Sequence, residues 1–234
     1  MAPRGLQVAA ALLGLALFSA ALWGGVTTGP VPAGKKYLPP LQKTDYVNLK
    51  EYIPSLVIDL AYYSDKNFTG KRLYRDPEAY LRKGTADKLK KAAEEVAPKG
   101  YRLKIWDAYR PPSVQYEMWK ARPNPRYLID PTQGFSDHSR GCAVDLTMVD
   151  GEGREMEMPS PIDDFSPKAD RYYGDVSPEQ GKNARYLEEV MVRSGFLSIR
   201  TEWWHFADSE RDSYGVTLEP PEPADGRIIK MPPG

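Results

Sequence analysis

The chain has 234 residues with 32 basic and 32 acidic side chains, so its formal net charge is zero. This balance gives no electrostatic reason to expect nucleic acid or an anionic membrane surface as a partner. A single cysteine, Cys142, excludes an internal disulfide and a thiolate zinc site. Because the sequence has two histidines, any metal site must combine them with carboxylates.

Residues 1–26 have the pattern of a secretory signal or an N-terminal anchor. Arg4 is followed by an apolar run and by small residues around Ser19, which is typical of an export signal. The run approaches the length that spans a bilayer, so an uncleaved anchor is the alternative. We therefore expect an exported protein of the periplasm or cell envelope that contacts the membrane through this segment alone. No feature of the sequence calls for an obligate protein partner.

Proline- and glycine-rich segments flank the folded part on both sides. Residues 27–44 are predicted to form a linker, residues 45–218 a single domain, and residues 219–234 a proline-rich tail. No internal repeat occurs at the periods of solenoid proteins.

Three helices are predicted within the domain. The first covers ADKLKKAAEEVAP, with Thr85 as its cap and Gly100 after its end, because apolar residues recur there at helical spacing. The second begins at Pro112 and covers PSVQYEMWKA. The third is capped by Ser177 and ends before Gly195.

Three strands are predicted between these helices, at residues 101–109, 142–149 and 201–207. Turns such as Asp150-Gly151 separate the elements. Interspersed helices and strands of this kind predict an α+β fold, a single domain with a small, mainly antiparallel sheet packed by helices. We expect a zinc cleft at this sheet.

The first histidine lies in SDHSRGCAVD, residues 136–145. Asp145 falls on the strand face opposite to Val144, where helices that cover the sheet would bury it. A buried carboxylate needs a partner, and a divalent metal is the strongest available. Gly141 lets the chain turn, so that His138 and Asp145 can reach one ion. The alternative is an ordinary strand aspartate that bonds to the backbone.

The second histidine, His205, lies in TEWWHFA close to Glu202. Two histidines and a carboxylate leave an open position for water on a tetrahedral zinc ion. The ion lowers the pKa of that water from 15.7 to roughly 7, and Glu202 is the candidate to accept the proton. Residues three apart on a regular strand face opposite sides, so we predict a bulge or turn near Glu202. The alternative places His205 in an aromatic core.

These motifs, taken together, resemble a known family. SDHSRGCAVD (136–145) followed by EWWH (202–205) is similar to the signature of the VanX-like D-alanyl-D-alanine dipeptidases, which belong to the zinc D,D-peptidases. NFTG (67–70) and WDAYRP (106–111) are more particular to the dipeptidases. The similarity covers about residues 57–206.

The resemblance implies a role for each matching residue. One Zn²⁺ per chain would be held by His138, Asp145 and His205. Glu202 would be the general base. Arg110 would stabilise the oxyanion of the tetrahedral intermediate, the alternative being a solvated surface arginine.

The resemblance also implies how a dipeptide is held. Asp163 matches the acid that binds the free amino group, although the family has Phe-Asp where this chain has Ile-Asp-Asp. Asp164 is therefore the alternative. Three further residues match positions that line the dipeptide pocket: Tyr62, Tyr74 and Ser136. Ser136 suits a terminal carboxylate, or it shapes the turn before the histidine.

The implied activity is zinc-dependent hydrolysis of D-alanyl-D-alanine to free D-alanine, in the turnover of peptidoglycan fragments. A small D,D-dipeptide is thus the expected partner. One alternative is a D,D-carboxypeptidase that acts on peptidoglycan stem peptides with the same zinc site. Another is a zinc-stabilised envelope binding module without catalysis, against which the intact Glu202 and Arg110 argue.

Overall fold

The structure, a computed structural model, describes residues 46–218. The segments predicted as signal or anchor (1–26), linker (27–44) and tail (219–234) lie outside these residues. Within the described part of the chain, no helix combines the length and the apolar character that crossing a membrane requires.

Seven strands and four α-helices follow one another along the described chain. In chain order they are β1 (Tyr46–Asn48), α1 (Leu49–Tyr52), β2 (Val57–Ile58), β3 (Tyr80–Arg82), α2 (Lys83–Val96), β4 (Arg102–Asp107), α3 (Pro112–Ala121), β5 (Ala143–Val149), α4 (Pro178–Arg193), β6 (Phe196–Ile199) and β7 (Glu202–Asp208). The main sheet has the order β2-β4-β5-β7-β6, and β1 pairs with β3 separately. All neighbouring strands are antiparallel except β2 and β4. The predicted α+β fold is confirmed.

The three predicted helices are present, and the start of the first requires a correction. Helix α2 begins at Lys83, so Thr85 lies inside it and does not cap it. Thr85 is buried, and its hydroxyl donates to Asp208 at 2.7 Å. Helix α4 has the predicted cap, because the Ser177 side chain accepts from the backbone of Gln180, whose side chain accepts from the backbone of Ser177.

Strand β5 crosses the centre of the sheet and is buried along its whole length. Val144 and Leu146 pack into the main core with Leu89 of α2 and Leu187 of α4. Each such side chain contributes about 2 kcal/mol through burial. Asp145 points to the opposite face and is only 4% exposed, as its position in the strand predicts.

The β6–β7 hairpin has an irregular register. Ser198 pairs with Phe206, whereas Ile199 pairs with Glu202. A regular continuation would place Ile199 opposite His205, so β7 leaves the regular register between Glu202 and Phe206. We call this irregular segment the excursion of β7. This is the bulge predicted near Glu202, and it lets Glu202 and His205 face the same cleft.

Candidate metal centre and active site

The three predicted metal ligands converge beside the sheet. Asp145 on β5 lies directly opposite His205 on β7, and Oδ1 of Asp145 is 2.9 Å from Nδ1 of His205. Nε2 of His138 lies 3.4 Å from that carboxylate oxygen and 3.2 Å from Nδ1 of His205. A tetrahedral ion with bonds of about 2.1 Å separates its ligand atoms by about 3.4 Å. The spacing therefore fits one divalent metal ion.

A short 3-10 helix, Asp137–Arg140, presents His138 to this cluster. Oγ of Ser136 accepts from the backbone N–H of His138 at 3.3 Å, and Gly141 ends the turn with a φ of 70° that favours glycine. Nδ1 of His138 donates to the carbonyl of Ala108 at 2.7 Å. This bond leaves Nε2 directed at the other two ligands, which is how metal-binding histidines are commonly oriented.

The charges of the cluster suit a cation. Burial alone would raise the pKa of Asp145, but the two neighbouring histidines hold it well below its ordinary value. Burial lowers the pKa of His205, which favours the neutral form that binds metals. At His138 burial acts in the same direction, but the Asp145 carboxylate outweighs it and raises the pKa. Metal binding at His138 therefore competes with a proton.

Glu202 is the acidic neighbour of the cluster. Its Oε2 lies 4.0 Å from Nδ1 of His205, and the residue is 9% exposed. Burial, followed by the Asp145 and Asp163 carboxylates, raises the pKa of Glu202 well above its ordinary value. A bound cation would lower that pKa again. A carboxylate so placed can accept a proton from water and return it to a leaving group.

Arg110 is buried in the cleft, so the surface alternative is wrong. Its Nε and Nη2 both donate to Oδ2 of Asp107, at 2.8 and 2.5 Å. Its Nη1 donates to Oε1 of Gln115 at 2.8 Å, and Nη2 lies 3.5 Å from Oδ2 of Asp145. The guanidinium is therefore fixed in orientation beside a candidate metal ligand, as its predicted role requires.

Asp107 and Gln115 are absent from the residues predicted for the site. Asp107 lies opposite Asp145 because the register of β4 and β5 shifts just before it. Its signal in the sequence is a carboxylate at the buried end of the strand RLKIWD, and a carboxylate in a buried strand also singled out Asp145. Gln115 has a weaker signal, since it lies on the buried side of α3 with Met118. Both orient Arg110.

A cavity of about 170 Å³ adjoins the metal cluster. Besides the three candidate metal ligands, six polar or charged residues line it: Arg110, Gln115, Ser136, Asp137, Asp163 and Glu202. Its apolar walls include Met118, Leu128 and Phe165. Drug-sized ligands occupy pockets of about 300–1,000 Å³, so this cavity suits a smaller, polar molecule.

Asp163, and not Asp164, lines this cavity. Asp163 has a left-handed backbone conformation with a φ of 58°, and its Oδ2 accepts from the Tyr62 hydroxyl at 2.9 Å. Asp164 accepts from the backbone N–H of Ser166 and closes a turn. Tyr62 lines the cavity, as expected. The prediction that Tyr74 lines the pocket is wrong for the cavity formed by the described residues. Its hydroxyl instead donates to Asp107, the residue that holds Arg110.

The cleft has the parts that metal-assisted hydrolysis requires. A metal ion can polarise a carbonyl group and activate water. A buried carboxylate can move the proton of that water, and a fixed guanidinium can stabilise an oxyanion. This chemistry defines the class of metal-dependent hydrolases.

Comparison with known proteins narrows the class to a family. A peptidase M15 family model, described as D-ala-D-ala dipeptidase, matches residues 42–218. The D-alanyl-D-alanine dipeptidase of Escherichia coli (strain K12) is 37% identical over 176 residues, which cover 75% of this chain and 91% of the relative. That of Enterococcus faecium is 32% identical, with coverages of 68% and 88%. The chain belongs to the D-Ala-D-Ala dipeptidase family of peptidase M15 and is a metallopeptidase.

Two solved structures are similar at a lower level. An LD-carboxypeptidase, LdcB, is 17% identical with a TM-score of 0.43, covering 75% of this chain and 71% of its own. A mutant of the vancomycin resistance D,D-pentapeptidase VanY, in complex with Zn(II), is 16% identical with a TM-score of 0.36, covering 60% and 82%. The relationship to the dipeptidases is the stronger one.

Proposed function

We propose that this protein hydrolyses D-alanyl-D-alanine, or a closely similar D,D-dipeptide, to free D-alanine with one zinc ion per chain. The observation that carries the proposal is the small cavity in which Glu202 and Asp163 stand beside the His-Asp-His cluster. Relatives named D-alanyl-D-alanine dipeptidases support the same substrate.

Zinc fits the donor set better than the hard cations do. Two imidazole nitrogens and one carboxylate oxygen match catalytic zinc sites, whereas calcium and magnesium prefer oxygen ligands. When bound, zinc would supply Lewis-acid polarisation of the carbonyl group and a lower pKa for water. The Ala108 carbonyl fixes the ring of His138 for this purpose.

Two side chains carry out the proton and charge movements. Glu202 accepts a proton from the attacking water and delivers it to the leaving amine, a task that its raised pKa suits. Arg110, held by Asp107 and Gln115, stabilises the negative charge that develops on the carbonyl oxygen.

Two further side chains bind the ends of the dipeptide. The Asp163 carboxylate pairs with the free ammonium group. Ser136 accepts from the backbone of His138, and its O–H can donate to the terminal carboxylate. A site that requires both a free amine and a free carboxylate confines the enzyme to dipeptides.

The buried Asp163 also favours a dipeptidase over a D,D-carboxypeptidase. In a stem peptide the corresponding nitrogen is an uncharged amide, which offers no positive charge to a buried carboxylate. Without a cation beside it, Asp163 either keeps a proton or stays a buried charge, and in both cases the ion pair with the substrate is lost. The longer substrate is therefore disfavoured.

The test is a zinc-dependent hydrolysis assay on the purified protein. Zinc-loaded enzyme is offered D-Ala-D-Ala, L-Ala-L-Ala, L-Ala-D-Ala and a stem pentapeptide, and the released alanine is measured. We expect hydrolysis of the D,D-dipeptide alone. Faster release from the pentapeptide would indicate the carboxypeptidase, and bound zinc without any hydrolysis would indicate a binding module.

We also propose that the enzyme is exported and acts on dipeptide released from peptidoglycan outside the cytoplasm. The support is the basic, then apolar, then small-residue pattern of residues 1–26. Cell fractionation with N-terminal sequencing tests this. We expect the protein in the periplasm or envelope, and a full-length chain in the cytosol would contradict the proposal.

A further inference from the structure

Arg171 lies in the segment between β5 and α4, has a buried side chain and takes no part in the proposed reaction. Its side chain is 7% exposed. Nε donates to the carbonyl of Ile199 at 2.8 Å, and Nη2 donates to the carbonyl of His205 at 3.2 Å. Nη1 lies 3.5 Å from Oε2 of Glu188 on α4. The guanidinium therefore connects both strands of the β6–β7 hairpin to a helix.

The carbonyls of Ile199 and His205 belong to residues that would lie directly opposite each other in a regular hairpin. Ile199 should face His205, but it pairs with Glu202 because of the excursion in β7. Arg171 donates to the backbone on both sides of this excursion, where regular pairing is displaced. Its own backbone N–H donates to the carbonyl of Arg200 at 3.1 Å, within the turn between the strands. Three bonds from one residue thus hold the irregular segment.

An arginine suits this position for physical reasons. Its guanidinium is planar and carries several N–H donors in a fixed fork, which a lysine cannot reproduce. The Phe206 ring lies 4.7 Å from the guanidinium carbon, so the group also stacks against the strand it holds.

The excursion determines which way Glu202 faces. In a regular strand, residues three apart point to opposite sides, so a slip of β7 into the regular register would turn Glu202 away from His205. We propose that Arg171 is a positioning residue that holds the β6–β7 excursion and keeps Glu202 and His205 on the same side of the cleft. This inference rests on the proposed metal site.

The direct test replaces Arg171 with methionine, which removes the donors and keeps much of the side-chain volume. Zinc affinity is measured by competition with a chromogenic chelator, and D-Ala-D-Ala hydrolysis by steady-state kinetics. We expect zinc affinity and kcat each to fall by about 10- to 100-fold, as for other groups that orient metal ligands. KM should change by less than about threefold, because Asp163 and Ser136 are not disturbed.

Two further variants separate positioning from a general loss of stability. Glu188→Gln removes the charge partner of Arg171 but keeps both carbonyl bonds, so zinc affinity and kcat should stay within about twofold. Arg171→Lys keeps the charge but cannot span both carbonyls, and it should give an intermediate loss. The lysine variant also serves if the methionine variant does not fold.

Hydrogen exchange of the metal-free proteins provides a readout that is independent of catalysis. We expect faster exchange of the amides at residues 200–206 in both Arg171 variants and wild-type exchange in Glu188→Gln. Arg171 variants that keep wild-type zinc affinity and wild-type exchange would overturn the inference. If the wild-type protein binds zinc but cleaves no dipeptide, the proposed function fails, and zinc affinity and exchange still test the role of Arg171.

Discussion

Replacing Asp163 with asparagine should stabilise the metal-free protein by an amount that grows with pH. Burial, followed by the Asp145 carboxylate, raises the pKa of Asp163 from 3.8 to about 7. The folded protein therefore keeps a proton that the unfolded chain releases at lower pH. Ionisation of Asp163 destabilises the fold as the pH rises from about 4 to about 7, and asparagine removes this effect.

The magnitude follows from the two pKa values. Between pH 5 and pH 8 the unfolded chain is ionised throughout, whereas the folded protein ionises only near pH 7. The wild-type protein thus loses the equivalent of about two pK units, or roughly 2 to 3 kcal/mol, of unfolding free energy that the Asp163→Asn variant retains.

Urea denaturation of both metal-free proteins at pH 5 and pH 8 measures this difference. The advantage of the variant should be larger at pH 8 by the amount given. Bound zinc should reduce the pH dependence, because a nearby cation lowers the pKa of a carboxyl group. An advantage that is equal at the two pH values would refute the reasoning.

Three further predictions concern Arg110, the turn at Gly141 and the cap of α4. Arg110→Lys loses the paired contact with Asp107, so kcat should fall about 100-fold while the zinc content stays unchanged. Steady-state kinetics and metal analysis measure both quantities, and a retained kcat would contradict the prediction. Gly141→Ala places a Cβ at 2.3 Å from the Tyr46 ring at a φ of 70°. Urea denaturation should then show a loss of more than about 1 kcal/mol, and an unchanged midpoint would count against it. Ser177→Ala removes the α4 capping box and should cost about 1 kcal/mol with kcat and KM unchanged, whereas altered kinetics would be unexpected.

Local patterns in the sequence suggested the three candidate metal ligands, and the family resemblance completed the set. Alternation along β5 placed Asp145 on a buried face, and Gly141 marked the turn that presents His138. The three-residue spacing of Glu202 and His205 conflicts with a regular strand, so the bulge could be predicted from geometry alone. Each of these inferences depends on the conformation of a short segment.

Residues whose partners are distant in sequence could not be placed in the same way. Thr85 has the local pattern of a helix cap, but its partner Asp208 lies 123 residues away. Arg171 stands in a loop without a distinctive pattern, and it bonds to carbonyls 28 and 34 residues further on. Tyr74 matches a pocket position, but it turns towards Asp107. Such hydrogen bonds depend on the tertiary fold and leave no local signal.

The central claim is that Glu202 moves the proton in a reaction at a zinc ion held by His138, Asp145 and His205. Zinc content and D-Ala-D-Ala turnover, measured together on the wild-type protein and the Glu202→Gln variant, test it most directly. We predict one zinc per chain in both proteins and a kcat at least about 100-fold lower in the variant. Full turnover by the variant, or turnover by a wild-type protein that binds no zinc, would contradict the account.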